Sequence, residues 1–435
     1  MIFTGNRISA VVRSAAVYAA ALFSVVFLCS CSDAEQASAA EDYTKTIVIE
    51  SETAASVSTA AAASETTAAE VEIEPENECY TVTFTALGDN LIHSSIYKQA
   101  ARRAKEKGLT EARYDFSYAY SDAEDLFNSA DITILNQETL ICNDIYEPST
   151  YPFFNSPTEL GLYMAELGVD VFTIANNHTL DKGTDGLSAC LDFYDENNLI
   201  RVGAYRDAED RSNIRTIESN GVTVSFLAYT EYLNGLSLPE GSPLEIGMAF
   251  ETEVMIEEIQ RAKEVSDICI VSLHWGVEDS DVISDSQRAL AARLGEAGAD
   301  VIIGNHPHVL RSIELMELSD GRQLLCAYSL GNLISAQSVG KNLIGGTLDF
   351  SVTVYPDGSG RTEISISDIK FNPLVTHYEG SYSNVRLYRL ENYTEELATA
   401  HGVNRKSEFG YDYIYNYLES HGLTETPDTD PPDGK

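Results

Sequence analysis

Apolar runs of four to eight residues recur along the middle of the chain, and most end on a short polar group. Thr81–Leu87, Asp131–Leu135, Val169–Ala175, Leu199–Val202, Ile268–Trp275 and Asp300–Ile303 read as strands from their β-branched, near-continuous hydrophobicity. Between them, apolar positions repeat every three to four residues in Ile96–Lys107, Ala119–Ser129, Thr184–Glu196, Glu251–Val265 and Ser284–Ala297, which predicts helices. Asn220-Gly221 between two β-type runs predicts a tight hairpin. Further on, Gln323–Leu330, Thr347–Tyr355 and Arg361–Phe371 read as strands, the last two joined by a turn at Asp357-Gly358. Tyr411–Tyr417 reads as an aromatic helix packing its rings on the body. Alternation of strand and helix followed by hairpins predicts an α/β fold with mixed sheets covered by helices.

The ends of the chain break this pattern. Arg7 and Arg13 precede the apolar run Ala15–Leu28, which is too short to cross a bilayer comfortably and matches a signal-peptide core. Leu28-Cys29-Ser30-Cys31 resembles a bacterial lipobox, which would make Cys31 the lipidated N-terminus of an exported protein held on the outer face of the cell membrane. Residues 32–79 are mostly Ala, Ser, Thr and Glu and read as a flexible acidic tether, because they cannot bury enough apolar surface to offset their ordering entropy. The expected divisions are therefore a lipoprotein signal at 1–31, the tether at 32–79, a folded domain at 80–375, a C-terminal extension packing on it at 376–423, and a Pro/Asp-rich disordered tail at 424–435.

Across 435 residues the formal net charge is −40, which argues against nucleic acid or an anionic membrane surface as the main partner, since both repel such a chain. The cysteines beyond the signal, Cys79, Cys142, Cys190, Cys269 and Cys326, have no metal-ligand spacing. Cys269 and Cys326 fall in strand-like runs and read as buried thiols, and a Cys79–Cys142 pair is left open.

Chemistry concentrates where the strands stop. Gly88-Asp89-Asn90, Asn136-Gln137-Glu138, Asn176-Asn177-His178, His274-Trp275-Gly276 and Gly304-Asn305-His306-Pro307-His308 each follow an apolar run. Ligands in open α/β sheets bind outside the carboxyl ends of the strands, so these groups can converge from distant parts of the chain. Each has a plainer explanation alone: a Gly-Asp turn, an Asn helix cap, a hydrogen-bonded core histidine. Taken together, carboxylates, amides and imidazoles form the ligand set of a divalent metal such as Mn, Fe, Zn or Mg. Convergence of Asp89, Glu138, Asn177, His178, His274, His306 and His308 in one pocket is the expectation.

These segments also carry a resemblance. Phe84-Thr-Ala-Leu-Gly-Asp-Asn, Ile134-Leu-Asn-Gln-Glu-Thr, Ala175-Asn-Asn-His-Thr-Leu-Asp-Lys-Gly183, Leu273-His-Trp-Gly-Val-Glu278, Gly298-Ala-Asp-Val-Ile-Ile-Gly-Asn-His-Pro-His-Val309 and Ser329-Leu-Gly-Asn332 resemble, in order, the motifs of the CapA family of capsule and poly-γ-glutamate biosynthesis proteins. The likeness runs over residues 81–350 and implies the fold of calcineurin-like metallophosphoesterases: a four-layer α/β/β/α sandwich of two mixed sheets flanked by helices. It implies Asp89 as the metal ligand of the first strand and Glu138 as a carboxylate bridging two metals. It further implies His274, His306 and His308 as imidazole ligands, Asn177 as a ligand and part of the catalytic Asn-His motif, and His178 as the catalytic acid or positioning group. Asn332 lies in the last of these motifs. The pattern departs at two places: Leu91 stands where such enzymes carry a histidine, and Asn136-Gln137-Glu138 replaces a Gly-Asp motif. One ion or two is therefore left open, with His93 as a substitute ligand. The implied functions are a metal-dependent hydrolase acting on a surface polymer or phosphoester, a non-catalytic capsule assembly or export component, or a polymer-binding module. The implied partners are a surface polymer such as poly-γ-glutamate, the membrane through the N-terminal lipid, and membrane-embedded synthase or export subunits.

Overall fold

A computed structural model describes residues 79–356 and 362–424. The strands, in chain order, are β1 (Tyr80–Asn90), β2 (Ile132–Asn136), β3 (Val171–Thr173), β4 (Ile200–Val202), β5 (Ala204–Tyr205), β6 (Arg215–Ser219), β7 (Val222–Thr230), β8 (Glu245–Ile246), β9 (Ile268–His274), β10 (Val301–Asn305), β11 (Ile313–Glu317), β12 (Gln323–Ala327), β13 (Asn332–Ile334), β14 (Ile344–Pro356), β15 (Thr362–Glu379) and β16 (Ser383–Arg389). One mixed sheet of eight strands runs β16-β15-β14-β1-β2-β3-β4, with β13 also paired to β1. A second of six runs β11-β12-β10-β9-β7-β6. In the first, β1–β4 and β13 are parallel; in the second, β7, β9, β10 and β12 are.

Period-two alternation assigns the two faces of each strand to different layers. In β9, Ile268 and Ile270 share one core with Phe84, Ile134 and Phe172 of the larger sheet. Cys269, Val271 and Leu273 face the other way, onto Met255, Ile259 and Ala262 of the helix Thr252–Val265 and Leu294 of the helix Asp285–Ala297. The helices Ser94–Lys107, Thr158–Leu167 and Gly183–Glu196 contribute Ile96, Leu160 and Leu187 to the core of the larger sheet. The result is the expected sandwich of two mixed sheets with helices outside.

Local signals explain most element boundaries. Ser284 accepts from the Gln287 backbone and Gln287 returns the bond, a capping box that starts its helix. Asn220 and Gly221 have φ of 51° and 79°, the two positive values that a type I′ hairpin turn between β6 and β7 requires. One expected helix is corrected: Ala119–Ser129 is two short pieces, an α turn at Ser117–Tyr120 and a 3-10 turn at Glu124–Asn128. Asp122, at the break, accepts from the Arg389 backbone and the Asn392 amide, so tertiary contacts override helical periodicity there. The helix Thr158–Leu167 was not predicted from the pattern. β15 is longer than its predicted run and continues through residue 375 to Glu379, and β16 extends the same sheet. Val385, Leu387, Ile414 and Leu418 join the main core. Cys79, Cys142, Cys190, Cys269 and Cys326 are all free thiols, so Cys79 and Cys142 are not bonded. The signal, lipidation, tether and tail expectations, Cys31 included, and the turn at Asp357-Gly358 fall outside the described residues or at their edge.

Candidate metal centre

Because the parallel strands of each sheet run the same way, their carboxyl ends form a rim, and the two rims meet. Asp89 ends β1, Asn136 ends β2 with Glu138 just beyond, His274 ends β9, and His306 and His308 follow β10. Two glycines make the approach possible. A Cβ at Gly88 would lie 2.2 Å from the Gly331 carbonyl oxygen, and one at Gly304 would lie 2.3 Å from that of Tyr328. Both precede the site by one or two residues. After β10 the chain turns so sharply that His306 and His308 take φ of 98° and 59°, conformations costing non-glycine residues about 1–3 kcal/mol each. That strain aims two imidazoles from one turn around Pro307.

The side chains converge on one buried spot. His274 Nε2 lies 3.1 Å from Asn177 Oδ1, 3.0 Å from His306 Nδ1 and 3.6 Å from Glu138 Oε1. On the other side of Glu138, Oε1 lies 3.6 Å from His308 Nε2, while His308 Nδ1 lies 3.0 Å from Asp89 Oδ2. Asp89 also accepts from Asn136 Nδ2 at 2.7 Å and from the His306 backbone amide. Two sets of potential ligand atoms, Glu138/His274/His306 and Asp89/Glu138/His308, each lie within 4.8 Å of one another. Glu138 belongs to both.

The electrostatics suit a bound cation. Both Glu138 oxygens are buried and accept no hydrogen bond, and such an atom normally costs several kcal/mol to bury. Burial pushes the Glu138 carboxyl well above the usual range, with Asp89 adding to the effect and His308 opposing it. Burial also holds His274 well below its ordinary value and takes His306 down to about 3, which keeps both neutral, the ligating form. For His308, burial acts against charge, but Glu138 and Asp89 outweigh it and push the imidazole up to about 10. The ring of His308 thus has a carboxylate near each of its nitrogens, Asp89 at Nδ1 and Glu138 at Nε2. Three imidazoles, two carboxylates and an amide oxygen match a hard-to-borderline divalent ion.

The remaining expected residues sit around this cluster. His178 is in neither ligand set. Its Nδ1 lies 2.8 Å from Asp181 Oδ2, and its ring is held edge-on by Phe154 at 4.7 Å. His93 is likewise outside both sets; its Nδ1 lies 3.1 Å from the Leu91 carbonyl oxygen and its ring packs on the other edge of Phe154 at 5.2 Å. Leu91, where a histidine would be the usual ligand, is buried in the core. Asn332 pairs with Asp89 across the β1–β13 register, but its amide donates to Gln337 and to the Asn342 carbonyl. Asn90, Gln137 and Tyr120 form a buried hydrogen-bonded brace beneath the ligands.

Pattern reading gave no role to Asp181 and Glu278, although both lie inside the quoted motifs. Glu278 Oε1 accepts from Asn177 Nδ2 at 3.4 Å. Also unanticipated is a cavity of about 800 Å³ that opens beside His306, built largely from the loop after β7.

Comparison with known proteins agrees with this picture. The profile described as "Bacterial capsule synthesis protein PGA_cap" matches residues 83–337. The "PGA biosynthesis protein CapA" of Bacillus subtilis (strain 168) is 33% identical over 211 residues, 47% of this chain and 52% of that protein. The "Capsule biosynthesis protein CapA" of Bacillus anthracis is 34% identical over 177 residues, 40% of this chain and 41% of that protein. The chain thus spans about half the length of these relatives or less. Among solved structures, a putative 5'-nucleotidase from Staphylococcus aureus aligns with 67% of this chain and 54% of its own at 14% identity and a TM-score of 0.39, too low to bear on function.

Proposed function

This chain belongs to the PGA_cap family of bacterial capsule synthesis proteins, and on that premise we propose that it serves capsule or poly-γ-glutamate biosynthesis as a metal-dependent hydrolase. Its substrate would be a surface polymer or a phosphoester, and its seat the outer face of the membrane, through a lipid on Cys31. The observation that carries the reading is the pair of unpartnered Glu138 oxygens between His274 and His308. A structural core would not leave a carboxylate bare between two imidazoles. Asp89, Glu138, Asn177, His274, His306 and His308 would hold the metal, one ion or two. A bound divalent ion supplies Lewis-acid polarisation of the scissile group and a water that ionises near neutral pH.

The chain's own groups account for the rest. Asp181 fixes the His178 ring through Nδ1, which leaves Nε2 to pass a proton to the leaving group. Asn177, between His274 and Glu278, keeps the amide oxygen turned toward the ligands. The brace of Asn90, Gln137 and Tyr120 holds the β1 and β2 ends in register.

The test is metal analysis of the purified full chain beside hydrolysis of a phosphodiester and of poly-γ-glutamate. Bound divalent metal that chelation removes together with activity is the expected result. A chain that takes up no metal, or takes it up and hydrolyses neither substrate, favours an assembly or export component. For the anchor, labelling cells with a clickable fatty acid should mark the wild type and not Cys31→Ala; equal labelling of both removes that part of the reading.

A further inference from the structure

The cavity beside His306 differs in character from the ligand cluster. His306 belongs to both: it lines the cavity and is one of the Glu138/His274/His306 ligand set. A molecule whose reacting bond sits at the ligands must therefore place an adjoining part in this cavity. The inference rests on the hydrolase reading for the position of that bond.

Among the described residues, the only charged side chains lining it are Glu231 and Glu278. Both carboxylates are fixed: Glu231 Oε2 accepts from the Gly276 amide at 2.7 Å, and Glu278 Oε1 from Asn177 at 3.4 Å. Arg311 lies directly behind Gly276. It is buried, however, and spends its donors on the Val277 and Ser280 carbonyls, so it does not line the cavity. The other walls are largely apolar, with Met248, an exposed Phe250, and Tyr232, whose ring lies 5.2 Å from that of His306. Apolar walls, an aromatic face and two anchored carboxylates, with Arg311 reaching Glu231 only from behind and turned away from the cavity, form a receptor for a positive charge on a short apolar stem. A carboxylate placed in this cavity would meet like charge at both glutamates, so of the two substrate classes proposed above the cavity favours the phosphoester over poly-γ-glutamate.

We infer that the group bound in this cavity is a short apolar arm ending in a primary ammonium, recognised by Glu231 and Glu278, so that the substrate is amine-bearing on the side of the scissile bond that faces His306. The experiment is calorimetric binding of three phosphonates to the metal-loaded full chain: 6-aminohexyl-, hexyl- and 5-carboxypentylphosphonate. The amine should bind about tenfold more tightly than the carboxylate, with the uncharged hexyl compound between. In Glu231→Gln and in Glu278→Gln the gap between amine and hexyl compounds should shrink, and in the double variant nearly close. Equal or tighter binding of the carboxylate by the wild type overturns the inference, as does no binding of any of the three, or a gap that survives in the double variant. Turnover of the matching p-nitrophenyl esters separates the two ideas. Turnover without an amine preference sinks only the cavity's assignment; an amine preference without turnover sinks only the hydrolase reading.

Discussion

Two groups of buried histidines lie in this fold, and their chemistry diverges. At the strand ends, His274, His306 and His308 surround two buried carboxylates. In the C-terminal part, His377 and His401 lie with ring centroids 4.8 Å apart among Tyr378, Tyr388, Tyr393 and Phe409. Burial lowers His377 and His401 to about 4, much as it lowers His306. The second group, though, is satisfied. His377 Nδ1 meets the Tyr393 hydroxyl at 2.9 Å, His401 Nε2 meets the Thr376 carbonyl at 3.0 Å, and the Val403 amide donates to His401 Nδ1. Burial and a depressed pKa therefore do not mark a metal centre by themselves. The mark is the buried carboxylate without a hydrogen-bond partner among the rings: the first group has one in Glu138, whereas in the second only the Thr376 hydroxyl goes unpaired.

The largest break in this comparison should come from Glu138→Gln. Loss of a carboxylate common to both ligand sets should lower metal retention by about two orders of magnitude or more, read by elemental analysis after gel filtration, with hydrolysis falling at least as far. His377→Gln should leave metal content unchanged. If Glu138→Gln keeps its metal, the contrast between the groups is wrong.

Acid separates them next. His377 and His401 are held neutral in the folded chain, with values near 4 against about 6.5 unfolded, so the unfolded chain binds more protons between these limits. Their contribution is full above about pH 6.5 and is lost as pH falls toward 4, on the order of 3 kcal/mol for each histidine. Urea unfolding of the chelated protein across that window should show the slope, to which His93, His274 and His306 also contribute because burial holds them low, and His377→Phe should reduce it by one histidine's share. An unchanged slope in that variant would place the acid sensitivity elsewhere.

A smaller effect is expected from Asp181→Asn. Metal content should stay as in the wild type while kcat drops by about tenfold or more, because the His178 ring loses the partner at Nδ1 that orients it. A fall in metal content instead would make Asp181 part of the ligand support.

The strand ends were readable because hydrophobic runs terminate there and the terminating residues are chemically unusual. Asp89, Glu138 and the histidines needed only the rule that ligands gather at carboxyl ends. Helix Thr158–Leu167 escaped because its apolar stripe is narrow and two glycines and a proline flank or interrupt the segment. The expected helix at 119–129 failed for the opposite reason: its periodicity was sound, but Asp122 is held by Arg389 and Asn392, hundreds of residues away in sequence. The cavity was illegible on similar grounds. Its loop at 231–238 is polar-apolar without period, and Phe250 and Glu278 join it only through the packing of distant strands.

The long strand β15 has a practical consequence. Its last residues, Leu374 to Glu379, pair with β16, and β16 ends the sheet. A recombinant fragment stopped at residue 375 would cut β15 inside that pairing, remove β16, and uncover the backbone edge and buried side chains of Leu374 and Val375. Such an edge recruits further copies of itself. The segment after residue 375 thus serves as the sheet's guard against self-association, and a soluble product requires that it be kept.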